Sequence, residues 1–294
     1  MFEFCADPKL LEGFSWTACY LTTVKHQQMY WSVLTVLSLL ALVAPTAMIF
    51  GFIGAWLKRS SILPFRFLGW VYTSTVRGVP ELIFFLFVPI ALDQLIELIR
   101  HKIKCPEWIE PIYQGSDFVV CTAAKMPVGA SEPWVHDLWN FTLAVWAFSI
   151  VFGAFAANVI DGALKAVPKN QLETAQAYGM SKRQIFLRIQ LPQMWIYALP
   201  GLSNLWQVLV KGTPLLFLLG IQDIVYWAKE LGGLKTGVYE YPHPDIRVWY
   251  FLALLVFYLL LTWISQVGFE RLTSRVSRGQ ATMGGDAALG GARG

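Results

Sequence analysis

Between Glu173 and Pro192 the chain reads ETAQAYGMSKRQIFLRIQLP, a polar stretch set between two long apolar runs. Its residue types suit docking rather than catalysis. Leu172 to Tyr178 can form a short helix, Gly179 can take the left-handed conformation that closes it, and Ser181 can cap a second helix. This predicts two short helices at a right angle that form a rigid knob. One flank is polar (Lys182, Arg183, Gln184). The other is apolar (Ile185, Phe186, Leu187, Ile189) and is expected to lean on the chain's own bundle. A second set of chemistry-bearing residues, Arg77, Glu81, Asp161 and Lys211, lies in or beside apolar runs, with Asn158 and Thr213 close by. Ionisable groups there are costly and tend to face a cavity, so these six form a candidate path for a zwitterionic or charged solute. Each also has a plainer reading. Arg77 and Glu81 are four apart and can pair on one helix face. Asp161 can cap a helix over Gly162 to Val167; if it faces the path instead, it favours a cationic group. The four histidines, His26, His101, His136 and His243, are scattered without ligand spacing. No phosphate-cradling glycine loop or nucleophile motif is present, so no catalytic, cofactor or metal residue is assigned.

The elements that must position these residues are membrane helices. Apolar residues make up 56% of the 294, charged ones only 14%, and mean hydropathy is +0.50; soluble domains carry about 25% charged residues. Since a spanning helix needs about 20 mostly apolar residues, five runs qualify: Trp31 to Trp56, Leu82 to Leu92 extended in both directions, Leu138 to Ile160, Met194 to Val210 and Val248 to Gly268. The second begins near Thr73 and carries Arg77 and Glu81. The 13 Trp, 11 Tyr and 20 Phe belong to spans and interfacial belts rather than to a nucleic-acid surface. The fold class is therefore an all-α membrane protein. Residues 1–29 precede a transmembrane domain over 30–275, which carries an insertion at about 93–137 and the polar loop at about 161–192. A flexible tail follows over 276–294.

Five spans place the termini on opposite sides. Twelve Lys and Arg fall on the side of the 161–192 loop and nine on the other, so the loop and the C-terminus are expected in the cytoplasm and the N-terminus outside. All four cysteines, Cys5, Cys19, Cys105 and Cys121, are then on the outer side, as disulfides in an oxidising compartment would be. Spacing leaves three pairings open, of which Cys5 with Cys19 and Cys105 with Cys121 are the simplest. Two segments echo one another, VRGVPELIF (Val76 to Phe84) and VKGTPLLFL (Val210 to Leu218). Pro with Gly loosens a helix in each, which a bilayer tolerates where protein or a water-filled cavity satisfies the freed carbonyls.

The order Glu173-Thr174-Ala175, Gly179, Ile189, Leu191 and Pro192 resembles the EAA loop, E-A-A-x3-G-x9-I-x-L-P, of permease subunits in binding-protein-dependent ABC importers. The resemblance covers roughly Tyr30 to Arg275. Arg66 to Phe87 is similar to the family stretch around R-G-T-P-L-L. Ala156 to Ala175 and Leu209 to Ile224 resemble the polar-amino-acid branch (histidine, glutamine, arginine, opines), whose later motif reads L-x-K-D-T-S-L-x-x-x-x-G-x-x-D-L. Asn158 stands where that branch usually has Glu, Asp161 for Arg, Asn170 for Gly, and Gly212 and Pro214 for Asp and Ser.

The resemblance implies the type I importer fold in a bacterial inner membrane, with Glu173, Thr174, Ala175, Gly179, Ser181, Lys182, Ile189, Leu191 and Pro192 as the ATPase-coupling element. It implies as partners a cytoplasmic ABC ATPase dimer that binds ATP and Mg, a second permease subunit, alike or paralogous, and a periplasmic solute-binding protein, all around the lipid bilayer. The expected function is import of a polar amino acid, basic ones included, or an opine-like solute by alternating access. A secondary transporter or channel, or a membrane-anchored assembly or signalling subunit, is the alternative.

Overall fold

The computed structural model describes Cys5 and residues 11–108, 113–114, 117–127 and 129–277. Nine of the first ten residues, the middle of the insertion and the tail beyond Ser277 lie outside the described residues. Among the described residues ten α-helices follow in order: α1 Gly13–Leu21, α2 Val24–Arg59, α3 Leu63–Gly78, α4 Glu81–Lys104, α5 Pro133–Ala166, α6 Lys169–Ala177, α7 Lys182–Ile185, α8 Leu191–Gly212, α9 Ile224–Gly232 and α10 Arg247–Val276. A two-residue hairpin, β1 Tyr113–Gln114 with β2 Asp117–Phe118, lies in the insertion. Five helical segments, containing α2, α4, α5, α8 and α10, are long and apolar enough to cross a membrane. The five expected spans are therefore present.

The second span is built differently from expectation. Arg77 and Glu81 do not share a helix face, because α3 ends at Gly78 and α4 starts at Glu81, with Val79 and Pro80 extended between them. Proline cannot donate the backbone hydrogen bond that would continue α3. α3 runs back along α2: Gly69 packs on Leu57 and Lys58, and Tyr72 on Gly54 and Gly153. It thus carries the crossing from the turn after Arg59 up to the middle of the bundle, where α4 takes over. The insertion is also shorter than predicted, since α4 continues to Lys104 and α5 begins at Pro133.

α5 is the central helix, with 67% of its apolar stretch buried, against 6% for α10 on the outside. The exposed Leu255, Leu259 and Trp263 of α10 suit hydrocarbon as solvent. α5 meets α2 along a seam of small residues. A Cβ on Gly51 would lie 2.8 Å from the Ala156 Cβ, and one on Gly54 2.8 Å from the Ala157 Cβ; a side chain on Gly153 would collide with Phe50. In lipid, where apolar burial does not drive helix association, such close approach supplies the dispersion contact. Hydroxyls of Thr46 and Ser149 hydrogen-bond across the seam, and Tyr72 donates to the Ile150 carbonyl.

The seam generates a test. Gly153→Leu should overpack it by about 2 kcal/mol or more and deplete folded protein in the membrane. Gly162→Ala, where an added Cβ meets nothing within 4 Å, should keep the thermal midpoint near that of the native chain. Equal yields and midpoints for the two variants would show that the seam is not tight.

Candidate functional site

The polar loop folds as its residues dictate, with one departure. α6 closes at Gly179, whose φ of +80° is the left-handed value expected of it; Met180 N–H reaches back to the Ala175 carbonyl at 3.1 Å. Ser181 accepts from Gln184 N–H while Gln184 accepts from Ser181 N–H, a reciprocal cap on α7. The departure is that α7 is not a separate short helix. It runs through a π-helical turn, Phe186–Gln190, into α8, with right-handed helical backbone throughout. Pro192 offers no N–H to the preceding turn, and a widened turn just before it accommodates the missing bond. The second helix of the knob is thus the leading end of the fourth span. Gln190 donates to the Leu164 carbonyl at 3.2 Å, and Gln193 donates to the Gln171 side chain, so α8 is tied to the end of α5 and to α6.

The surface of this knob is open. Ala175, on the inner face of α6, is buried, whereas Glu173, Thr174, Lys182 and Pro192 are exposed, and Tyr178 is 84% exposed. Leu191 and Ile189 are partly buried, but Phe186 and Leu187 stay exposed instead of leaning on the bundle as expected. A depression of about 520 Å³ lined by Thr174, Tyr178, Met180 and Ile189 lies between α6 and the start of the fourth span. Exposed aromatic and aliphatic groups beside polar ones, on a backbone held rigid by caps, suit protein docking.

The six candidate path residues do not form one group. Asp161 is not a helix cap: it lies inside α5 and is only 4% exposed. Lys165 approaches its carboxylate at 2.7 Å, Lys58 at 3.4 Å and Arg59 at 3.7 Å, and Lys58 also donates to Asn158 at 2.8 Å. Asn158 and Asp161 therefore fasten α5 to the end of α2. Lys58 and Arg59, which enter the sequence analysis only within the count of twelve basic residues on one side, are the partners that reading missed; nothing local links positions about a hundred residues apart. Thr213 is fully buried and hydrogen-bonds the Val210 carbonyl and the Tyr258 hydroxyl.

Arg77, Glu81 and Lys211 flank two helix breaks at similar depth. α3 stops at Gly78, and α8 stops at Gly212, where a 3-10 turn over Thr213–Leu219 begins. Phe85, one turn into α4, stacks on Phe148 at 4.2 Å, and a Cβ on Gly212 would lie 3.6 Å from the same Phe148 ring. Both echo segments therefore converge near the middle of α5. Arg77 and Lys211 sit in the last turns of their helices, where a cation offsets unsatisfied carbonyls. Both are exposed, Glu81 is partly buried, and none of the three forms an ion pair among the described residues.

At the opposite end of the bundle, Cys5 bonds Cys19 and Cys105 bonds Cys121, the two simplest pairings. His101, Cys105 and Cys121 lie within ligand distance of one another. Both sulfurs are already bonded, however, and His101 Nδ1 accepts from Cys121 N–H. Glu97 and Arg100 hold the same loop through Met126 N–H and the Ala124 carbonyl. Asp223, a residue the sequence reading passed over, is fully buried and caps α9 by accepting from Tyr226 N–H at 2.8 Å. Its place just before an apolar helical run was the available signal. Burial pushes its carboxyl up to about 7, against hydrogen bonds from Tyr226 and Val225 that lower it. The native state thus keeps a proton that the unfolded chain loses near pH 4, and the associated stability is lost as pH rises through about 7.

The buried carboxylate makes a prediction. Asp161→Asn keeps the volume but surrounds a neutral amide with three cations, and should lower stability by about 3 kcal/mol, read as a fall of several degrees in thermal midpoint. Lys165→Gln, whose side chain is 67% exposed, should change it little. Equal effects would remove Asp161 as the centre of the cluster.

Comparison with known proteins agrees with this geometry. Residues 33–278 match the family described as binding-protein-dependent transport system inner membrane component. The arginine ABC transporter permease protein ArtQ of Haemophilus influenzae is 35% identical over 71% of this chain and 76% of its own length. The nopaline transport system permease protein NocQ of Agrobacterium fabrum is 31% identical over 79% and 83%. A histidine/lysine/arginine/ornithine transport system permease protein, HisQ of Escherichia coli, is 33% identical over 65% and 71%. Among solved structures, an amino acid ABC transporter crystallised with histidines superposes with a TM-score of 0.59 at 20% identity, over 87% of this chain and 98% of that one. The inward-facing MetNI methionine ABC transporter gives 0.54 at 15%, over 86% and 99%. These two likenesses show the fold alone. With five membrane helices arranged as in the type I importer permeases, this chain belongs to the family of binding-protein-dependent transport system inner membrane components, the permease subunits of ABC transporters.

Proposed function

We propose that the chain forms half of a solute path through the inner membrane, its N-terminus periplasmic and its C-terminus cytoplasmic, and that it imports a basic amino acid or opine-like solute. The path is completed by a second permease subunit. A periplasmic protein delivers the solute, and a cytoplasmic ATPase dimer that binds ATP and Mg docks on Glu173 to Pro192. The observation that carries this reading is the continuous helix from Lys182 to Gly212. A displacement imposed on the exposed knob passes directly into the fourth span, and through Gln190 into the end of α5. ATP hydrolysis in the partner then shifts the bundle between two states by contacting the knob differently in each.

The relatives named for arginine, for histidine, lysine, arginine and ornithine, and for nopaline support a basic solute. Arg77 and Lys211 suit a solute carboxylate and Glu81 a solute cation, at the depth where both helices break. Asn158 and Asp161 serve the fold rather than the path.

Two experiments test this. Gly179→Val strains the left-handed turn between the knob helices; the variant should reach the membrane and keep basal ATPase activity in the complex while losing most uptake, and normal uptake would end the coupling assignment. In lipid vesicles, the complex with its binding protein should show ATPase stimulation by arginine, lysine, histidine or opines above that by acidic or small polar amino acids. Stimulation by the latter alone would refute the solute class.

A further inference from the structure

The end of the α2–α5 seam carries more positive charge than its one carboxylate can match. Lys58, Arg59 and Lys165 all lie within 4 Å of Asp161, and no other carboxylate among the described residues pairs with any of them. Lys58 is committed to the fold, since it also donates to Asn158 at 2.8 Å and its side chain is only 21% exposed. Arg59 is not. It makes no side-chain hydrogen bond among the described residues, and Asp161 Oδ1, 3.7 Å away, has no hydrogen-bond partner either. The planar fork of donors on Arg59, with its side chain 39% exposed, is therefore unused. Lys165, 67% exposed, has donors to spare beyond the one given to Asp161.

These cations stand where the hydrocarbon ends. The apolar run of α2 stops at Trp56, just before Lys58, and that of α5 stops at Ile160, just before Asp161. Beside them is a turn that would be out of place in water. Residues 61–68, SILPFRFL, are all exposed, and Arg66 and Ser61 are their only polar side chains. Positions 63–68 are helical and sweep more than a full turn, so no side of this stretch is buried. Burial begins only at Gly69, which packs on Leu57 and Lys58. Trp56, 63% exposed, meets Phe65 at 6.2 Å and joins the apolar turn to the end of α2 that bears Lys58 and Arg59. Aromatic rings at this depth suit the boundary between headgroups and acyl chains.

A cationic notch and a projecting apolar turn side by side fit a molecule with an anionic head and apolar chains. We infer that Arg59 and Lys165 bind the phosphate of an anionic phospholipid from the leaflet on the knob's side, with its chains lying against Trp56, Phe65 and the rest of the α2–α3 turn. Arg59 supplies the paired donors that match phosphate oxygens, and Lys165 a second charge from the neighbouring helix. A headgroup held there bridges the ends of α2 and α5. It lies next to Leu164, whose carbonyl accepts from Gln190 at the start of the fourth span. The lipid thus braces the seam at the point where the knob is tied to it.

The test uses the intact complex in neutral detergent, titrated with phosphatidylglycerol or with zwitterionic phosphatidylcholine. Bound lipid is counted by native mass spectrometry and the thermal midpoint is followed in parallel. Phosphatidylglycerol should be retained in preference and should raise the midpoint, because a ligand of the folded state alone stabilises it. Arg59→Gln and Lys165→Gln should each weaken its binding about fivefold, and the two together about thirtyfold. Lys58 stays in every variant so that Asp161 keeps a partner. Arg59→Gln, which gives up no hydrogen bond, serves alone where the double variant fails to fold. Removing the same charge from exposed positions of α10, with Arg271→Gln and Arg275→Gln, should leave binding nearly unchanged.

Equal retention of the two lipids by the native complex would overturn the site, as would equal weakening by the α10 pair, which would reduce it to diffuse surface charge. The same midpoint rise with inorganic phosphate would make it a site for soluble anions instead. Loss of the ATPase subunits from the Arg59 and Lys165 variants, with lipid binding unchanged, would reassign the cluster to a protein contact. The titration needs no solute, so its outcome is independent of the transport reading.

Discussion

The α2–α5 seam is tight because Gly51, Gly54 and Gly153 remove the side chains that would hold two backbones apart. In a bilayer the surrounding tails are as apolar as leucine, so apolar burial contributes little between helices, and close packing with cross-helix hydrogen bonds has to supply the attraction. Everything else is hung on this pair. α3 folds back against it through Tyr72 and Gly69. α8 lies along α5 with Gly201 on Val159, and α4 and the 3-10 turn after α8 close on Phe148 and Phe152. At the end of the seam, Asp161 gathers Lys58, Arg59 and Lys165, so charge finishes what small residues begin.

In the proposed transport cycle, that pair would give the knob and the fourth span something to move against. The knob residues reach α8 without a hinge, and Gln190 reaches the last turn of α5. Farther along α8 the helix breaks at Gly212, level with the break at Gly78 to Pro80. Under the coupling proposed above, a stiff lever that ends at a loosened backbone would convert a push at one face into rearrangement at mid-depth, because the broken ends leave carbonyls and cations free to re-pair. The opposite face is organised by different means. Two disulfides and a set of polar side chains, Glu97, Arg100, His101, Tyr20 and His243, hold segments with little regular structure of their own.

Much of this was legible in the chain. Apolar runs of spanning length named the five crossings, since a bilayer admits helices of about 20 residues. Gly179 and Ser181 were readable as turn and cap because backbone sterics and a single local hydrogen bond decide both. Spacing left three cysteine pairings open, and the fold selected the two simplest. Errors clustered where a residue's fate depends on distant partners. Asp161 could be read as a cap or a solute contact because Lys58 and Arg59 are remote in sequence. Arg77 and Glu81 looked like one helix face because spacing alone does not say that Pro80 ends a helix rather than bending it.

Local chemistry and the solvent were thus determined by sequence: an all-helical membrane chain, the capped knob and its family. Tertiary structure alone decided which polar residues became mortar and which stayed open. It assigned Asn158 and Asp161 to the seam, buried Thr213, left Arg77 and Lys211 exposed at the two breaks, and brought Tyr20 to His243 across 223 positions. The physical reason is that a cap or turn is satisfied by atoms a few residues away. A buried charge or hydroxyl is satisfied only by whatever the folded chain brings beside it.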